Sequence, residues 1–167
     1  MALTQRLARV SPQYLDWCRD AAAAALDGDP HWDPPEEDTL DLDWAVWELL
    51  AFYRRMQPDS RHISILERSI AGDVNDPVAF LDHPEFYDGF DGPPSLLAPG
   101  AVAEVAHSLA AMKIDSLLRV LPAYREAGGF SAFHGDPGAY LAGHFALLQN
   151  FYGIASQQGL AVVVWVD

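Results

Sequence analysis

Residues 136–166 read DPGAYLAGHFALLQNFYGIASQQGLAVVVWV, and this stretch decides the fold class. Asp136-Pro137 is typical of a helix start, because aspartate caps the first N–H groups and proline fits the first turn. Apolar residues then recur at helical spacing, which predicts one long helix that stops before Gly159. The run 161–166 is β-branched and apolar on both faces, and it therefore predicts a central strand.

The remainder of the chain supplies a second strand and further helices. Residues 3–10 alternate loosely between apolar and polar side chains and predict a short strand. Helical spacing predicts helices from Pro12 to Asp27-Gly28, over 41–57, over 61–72 and over 100–112, with further turns before Pro122. We therefore expect an α+β fold, in which several helices pack on a small sheet formed with the N-terminal and C-terminal strands. The length predicts a single domain over residues 1–167.

Charge and cysteine content exclude several classes of function. The 167 residues carry 24 acidic and 10 basic side chains, a net charge of −14. Binding to a phosphate backbone or to an anionic membrane surface depends on cations, so we expect neither nucleic acid nor membrane as a partner. The single cysteine, Cys18, allows no disulfide within the chain and no cysteine-based zinc site. Without a recognisable targeting segment, the expected location is the cytoplasm.

Two proline-rich stretches contain much of the negative charge. Residues 27–39 hold six acids and three prolines, and residues 73–99 hold six acids and five prolines. Both are predicted to be loops without regular structure. Aromatic side chains among carboxylates suit recognition of a cationic partner. The alternative is that the acids solvate the loops while the aromatic rings pin them to the body of the protein.

The candidate binding residues come from these loops and from the predicted start of the second helix. They are Trp32, Asp33, Asp41, Asp43, His83, Glu85, Tyr87 and Asp91. The alternative role for Asp41 and Asp43 is structural, as caps of the second helix near the positive end of its dipole.

Known reaction and metal signatures are incomplete in this sequence. Glu104-x-x-His107 is half of a di-iron pattern whose other half is missing. His83-Pro84-Glu85 resembles the His-x-Glu of zinc deaminases, which also need a cysteine pair. We therefore predict no catalytic residue, no metal and no cofactor.

Three stretches resemble a known family. They are Leu40-Asp-Leu-Asp43, the lead into the predicted helix at 100–112, and the final helix and strand. Their order and spacing resemble the YfbM-like family of bacterial proteins of unknown function (domain of unknown function 1877). The resemblance covers nearly the whole chain, and it implies an α+β domain of about this length with no established activity.

The sequence departs from that family's usual pattern in two places. Trp44, Val46 and Trp47 stand where the family usually has a lysine and a tryptophan–histidine pair. Ala98 stands where the family has a threonine that caps the following helix.

Two functional hypotheses follow from these observations. The first is a non-catalytic, cytoplasmic binding domain whose acidic loops recognise a basic protein partner, as an immunity or inhibitor protein does. The second is a small hydrolase-like enzyme with a pocket lined by His83, Glu85, Tyr87 and Asp91. An enzyme would have a deep pocket with converging polar groups, whereas a binder would have a broad negative face with central aromatic residues. A homo-oligomer is compatible with either hypothesis.

Overall fold

A four-stranded antiparallel sheet organises the fold. The computed structural model describes residues 3–73, 78–87, 90–131 and 133–167. Within them the strands are β1 (Gln5–Val10), β2 (Thr39–Asp41), β3 (Phe90–Leu97) and β4 (Ala161–Val166). Their order across the sheet is β2-β1-β4-β3, so the strand predicted to be central lies between two others.

Seven α-helices accompany the sheet in the described residues, and the predicted α+β class is confirmed. They are α1 (Pro12–Ala24), α2 (Ala45–Met56), α3 (His62–Ala71), α4 (Pro99–Ala111), α5 (Asp115–Leu118), α6 (Leu121–Glu126) and α7 (Pro137–Gln157). The predicted cap of α7 is confirmed, because the Asp136 side chain accepts hydrogen bonds from the N–H groups of Gly138 and Ala139. Gly159 has a φ of 65°, the left-handed conformation expected just after a helix.

Other elements pack on both faces of the sheet, and side chains along β4 alternate between the two faces. Val162 and Val164 face a layer formed by α2, α3, α4 and α7. Val163 and Trp165 face the opposite layer, which is formed by α1, Trp32 and side chains between Val78 and Tyr87. All six residues of β4 are buried, which explains why neither of its faces carries polar side chains.

One buried polar contact ties the helical layer together. The Tyr152 side chain on α7 is completely buried, and its hydroxyl donates a hydrogen bond to the Ser69 carbonyl of α3 at 2.7 Å. The Asp73 N–H, four residues further along, donates instead to the Leu96 carbonyl of β3. Tyr152 therefore supplies a donor to a helix-end carbonyl that the helix itself leaves unpaired.

The prediction of an irregular segment over 73–99 is wrong for its last part. Phe90–Leu97 forms β3, although it contains Pro93 and Pro94. Its pairing with β4 shifts register between Phe90 and Ser95, so both prolines lie where the ladder is interrupted. Because β3 is an edge strand, the missing proline N–H groups leave no central ladder bond unmade.

The predicted boundary between the first loop and the second helix is also wrong. Residues 39–41 form β2, in which Leu40 pairs with Leu7 of β1. The helix then begins at Ala45 rather than at residue 41. Three residues are too few for alternation to reveal a strand, so the sequence pattern did not separate β2 from α2.

Within the described residues, no helix combines the length and the hydropathy that crossing a bilayer requires.

Candidate binding surface

Two acidic segments that are distant in sequence meet on one side of the sheet. The Trp32 ring packs edge-on against Phe86, with ring centroids 5.0 Å apart, and it also contacts Trp165 of β4 at 6.4 Å. The His83 Nε2 atom lies 3.2 Å from the Asp27 carbonyl oxygen. We call the surface formed by residues 27–38, residues 78–87 and the exposed side of α1 the loop face.

A series of aromatic rings connects the buried part of the loop face to solvent. Tyr14 on α1 lies between Trp32 and Trp17, with centroid distances of 5.6 and 5.8 Å. The Tyr14 hydroxyl accepts a hydrogen bond from the Asp33 N–H at 2.8 Å. Burial is the main cause that raises the pKa of Tyr14 to about 12, so its hydroxyl stays protonated at neutral pH. Trp17 ends the series and is 52% exposed.

The exposed carboxylates of the loop face outnumber its cations. They are Asp16, Asp20, Asp27, Asp33, Glu36, Glu37, Asp82 and Glu85. Arg19 bonds to Asp16 at 2.6 Å, and His31 Nδ1 lies 3.0 Å from a carboxylate oxygen of Asp29. The loop face therefore combines an exposed tryptophan with a negative surface, which is the chemistry that attracts cationic groups.

The predicted site residues of the second loop have local structural contacts. His83 Nδ1 accepts a hydrogen bond from the Glu85 N–H at 3.2 Å. Tyr87 is buried, and its hydroxyl donates to a carboxylate oxygen of Asp82 at 2.7 Å. Burial, followed by that hydrogen bond, raises the pKa of Tyr87 to about 12. The Glu85 side chain is exposed on the loop face, whereas the Asp91 side chain lies outside the described residues.

Asp41 and Asp43 lie outside the segments that form the loop face. Asp41 ends β2, forms an ion pair with Arg6 at 3.6 Å and accepts the Asp43 N–H at 2.7 Å. Asp43 has a φ of 51°, and its carboxylate accepts a hydrogen bond from the Tyr140 hydroxyl at 2.9 Å. The capping role considered for the two aspartates is wrong, because Trp44 precedes α2 and no side chain caps it.

Tyr14 and Trp17 are residues of this surface that the sequence analysis missed. Their signal was present, since a spacing of three places both rings on one side of α1. Nothing in the sequence, however, indicated that the 27–39 loop would fold back against that side of the helix.

The hydrolase-like hypothesis finds little geometric support at its predicted position. Of four surface pockets formed by described residues, none is lined by His83, Glu85 or Tyr87. Across all the described residues, no three histidine, cysteine or acidic side chains are grouped so that they could hold a metal ion.

Comparisons with known proteins identify relatives but no activity. The profile of the family described as "Domain of unknown function (DUF1877)" matches residues 62–165. A crystal structure of YfbM, a protein of unknown function from Escherichia coli, superposes with a TM-score of 0.56 and 13% sequence identity. The match covers 98% of this chain and 99% of that one, and at this identity it shows a shared fold alone. No curated protein matches the chain.

Proposed function

The chain belongs to the family described as Domain of unknown function (DUF1877), and since that description assigns no activity, we propose a function from the residues of this chain. The protein is a non-catalytic binding domain that recognises a basic protein partner through the loop face. An immunity or inhibitor protein acts in this way, by covering a positively charged surface of another protein.

The convergence of the two acidic segments around Trp32 is the observation that carries this proposal. The Trp32–Phe86 contact brings carboxylates from both segments onto one surface, beside the exposed Trp17 ring. Tryptophans that a partner covers are frequent anchors in protein interfaces, and a lysine or arginine can stack on an exposed indole ring such as that of Trp17. A partner with a basic patch would therefore find both an apolar anchor and opposite charge at the same place.

The net charge of −14 supports the same proposal at longer range. A strongly negative protein attracts a basic partner before contact, which raises the association rate at low salt. The contacts of His83 and Tyr87 favour binding over catalysis, because both side chains are used to hold the two segments in place. His83 contacts Glu85 in its own segment and Asp27 in the other, and Tyr87 bonds to Asp82. We further propose that residues 1–167 act as a single domain in the cytoplasm, where a lone free cysteine is common.

The experiment is a pull-down with purified, tagged protein at low salt, repeated at about 0.5 M salt, where the Debye length is roughly 4 Å. Three forms are compared: the wild type, a loop-face variant Asp33→Asn/Glu85→Gln, and a control Asp59→Asn/Glu126→Gln. All four substituted side chains are exposed, so the two variants lose the same charge in different places.

The proposal predicts a basic protein that the wild type and the control capture at low salt and release at high salt. The loop-face variant captures much less of it, and Trp17→Ala weakens the same interaction. Equal capture by the loop-face variant and the control would contradict the proposal.

A further inference from the structure

A pocket in the helical layer, separate from the loop face, combines aromatic rings with two carboxylates. It has a volume of about 540 Å³ and opens beside α2, α6, the turn after α6 and the start of α7. Four aromatic rings line it in order, each next to the following one: Tyr124, Phe130, Phe133 and Tyr140. The three centroid distances are 5.9, 5.6 and 4.8 Å, and Trp44 contributes a fifth ring to the lining.

Local backbone geometry positions these four rings, which we call the aromatic wall. Gly128 has a φ of 94°, and a Cβ atom at Gly129 would overlap the Tyr124 ring. The glycine pair therefore lets the chain turn tightly over Tyr124 and place Phe130 beside it. Tyr124 itself stacks on Phe52 of the core at 4.4 Å, so the ring is anchored from behind.

Two carboxylates face the aromatic wall from the start of α2. Asp43 is oriented by the Tyr140 hydroxyl, which donates to one of its oxygens at 2.9 Å. Glu48 also lines the pocket, is half-buried, and has no side-chain hydrogen bond or ion pair to any described residue. Burial raises the pKa of Glu48, because a carboxylate loses hydration among aromatic rings. A cation in the pocket would offset that loss.

The described residues do not supply this cation themselves. Burial, followed by the charge of Glu48, raises the pKa of Tyr124, and the charge of Arg55, two helical turns after Glu48 on α2, acts in the opposite direction. Arg55 nevertheless does not line the pocket and makes no ion pair with Glu48. The described residues that line the pocket therefore supply negative charge and aromatic surface, and none of them is a lysine or arginine.

We propose that this pocket binds a guanidinium cation, the group carried by arginine side chains and by small guanidino compounds. A guanidinium group is planar, stacks on aromatic faces, and donates paired hydrogen bonds to a carboxylate. It is also less strongly hydrated than an ammonium group, so it loses less on entering an aromatic pocket. The inference is independent of the loop face, because no residue is shared between the two surfaces.

The test titrates the full chain with 1-butylguanidinium and, separately, with 1-butylammonium, which has the same alkyl group. Calorimetry measures the affinity, and tryptophan fluorescence reports on Trp44 in the lining. We expect saturable binding of butylguanidinium with a Kd on the order of 1 mM, and binding of butylammonium about tenfold weaker.

Two variants and one matched control separate a specific site from general attraction to an acidic protein. Glu48→Gln removes the charge while keeping the shape, and Phe133→Leu removes one ring without changing charge. Each is expected to weaken butylguanidinium binding about tenfold. Asp59→Asn removes one exposed carboxylate outside both the pocket and the loop face, and it leaves the affinity unchanged. Circular dichroism and the unfolding temperature of each variant establish that it is folded.

A final arm distinguishes the source of the guanidinium group. If an arginine within a short peptide binds at least about tenfold tighter than butylguanidinium, the pocket takes a side chain of a protein partner. Similar affinities indicate a small guanidino compound, and both results support the proposal. Absence of saturable binding, equal binding of butylammonium, or an unchanged affinity in Glu48→Gln would overturn it, whatever the pull-down on the loop face reveals.

Discussion

Tyr152 illustrates how a single hydroxyl supports the packing of two helices and a strand. Its hydrogen bond to Ser69 replaces one that the Asp73 N–H would have made within a continued helix. Because that N–H pairs with Leu96 instead, the chain can leave α3 and join the edge of β3. Tyr152 therefore stabilises the end of α3, where the backbone changes direction, and also fills space in the core.

Removing this hydroxyl is expected to destabilise the protein without changing its fold. Tyr152→Phe leaves the buried Ser69 carbonyl without its donor, and the expected loss is about 1–3 kcal/mol in the free energy of unfolding. Urea unfolding at neutral pH measures it. A change below about 0.5 kcal/mol would indicate that water replaces the hydroxyl.

From the ion pairs of Arg68 we predict that the stability of the protein depends on pH. Its guanidinium bonds to both carboxylate oxygens of Asp73 at 2.8 and 2.9 Å and to Glu104 at 2.8 Å. These bonds hold the pKa of Asp73 below its usual value of 3.8. The stabilisation is therefore fully present above that value and is lost as the pH falls through the lower pKa of the folded state.

The substitution Arg68→Met should remove this dependence. All three side chains are at least one-third exposed, so solvent screening limits the loss at pH 7 to about 0.5–1 kcal/mol. The difference between wild type and variant should shrink as the pH falls below about 3.8. Urea unfolding at a series of pH values checks this, and a difference that stays constant across the series would contradict it.

At the scale of elements, the N-termini of α4 and α7 differ in one respect. Asp136 caps α7 with two hydrogen bonds, whereas Ala98 precedes α4 with an extended backbone and no side-chain cap. The φ of −64° and ψ of 160° at Ala98 suit a capping residue. The alanine at this position therefore leaves one orphan N–H group of α4 without a side-chain partner.

Supplying that cap is expected to stabilise the protein. Ala98→Ser should raise the free energy of unfolding by about 0.5–2 kcal/mol, because its hydroxyl can accept a hydrogen bond from the first turn of α4. Thermal and urea unfolding measure the gain. Asp136→Ala is the opposite change at α7 and should lower stability by a similar amount. No gain in Ala98→Ser would mean that the α4 N–H groups are already well solvated.

The elements differ in how much their sequences reveal. The strand β1 and the long helices follow from periodicity, because each has enough residues to repeat an apolar pattern. The strand β4 follows instead from its continuous run of β-branched apolar residues. The strand β3 was missed because Pro93 and Pro94 are typical of loops, and their tolerance at a register shift depends on a neighbouring strand.

The candidate surfaces required information that a linear pattern does not contain. The acidic loops were identified from composition, yet the Trp32–Phe86 contact that joins them depends on tertiary packing. The aromatic pocket takes four rings from α6, the following turn and α7, and its fifth ring, Trp44, precedes α2 by one residue and lies far earlier in the sequence. Neither helical nor strand periodicity groups such residues.

At the scale of the whole molecule, the net charge of −14 is expected to cost stability at low salt. Like charges repel more in the compact state than in the unfolded chain. Raising sodium chloride from about 0.01 M to about 0.1 M shortens the Debye length from roughly 30 to 10 Å. The unfolding temperature at neutral pH should therefore rise by a few degrees.

The control repeats the salt series near the sequence pI of about 4.5, where little net charge remains to be screened. Differential scanning calorimetry measures both series. A fall in unfolding temperature with salt at neutral pH would show that favourable ion pairs outweigh repulsion in the folded state.

The buried thiol of Cys18 gives the molecule an internal reporter of its own fluctuations. Cys18 has no solvent exposure, and burial raises the pKa of its thiol. A thiol-specific reagent can therefore react when α1 separates from the layer beneath it, and not before. If that separation is a local event, labelling proceeds faster than global unfolding permits, and a partner bound across α1 slows it. The chain thus contains, without any engineered label, a kinetic readout for occupancy of the loop face.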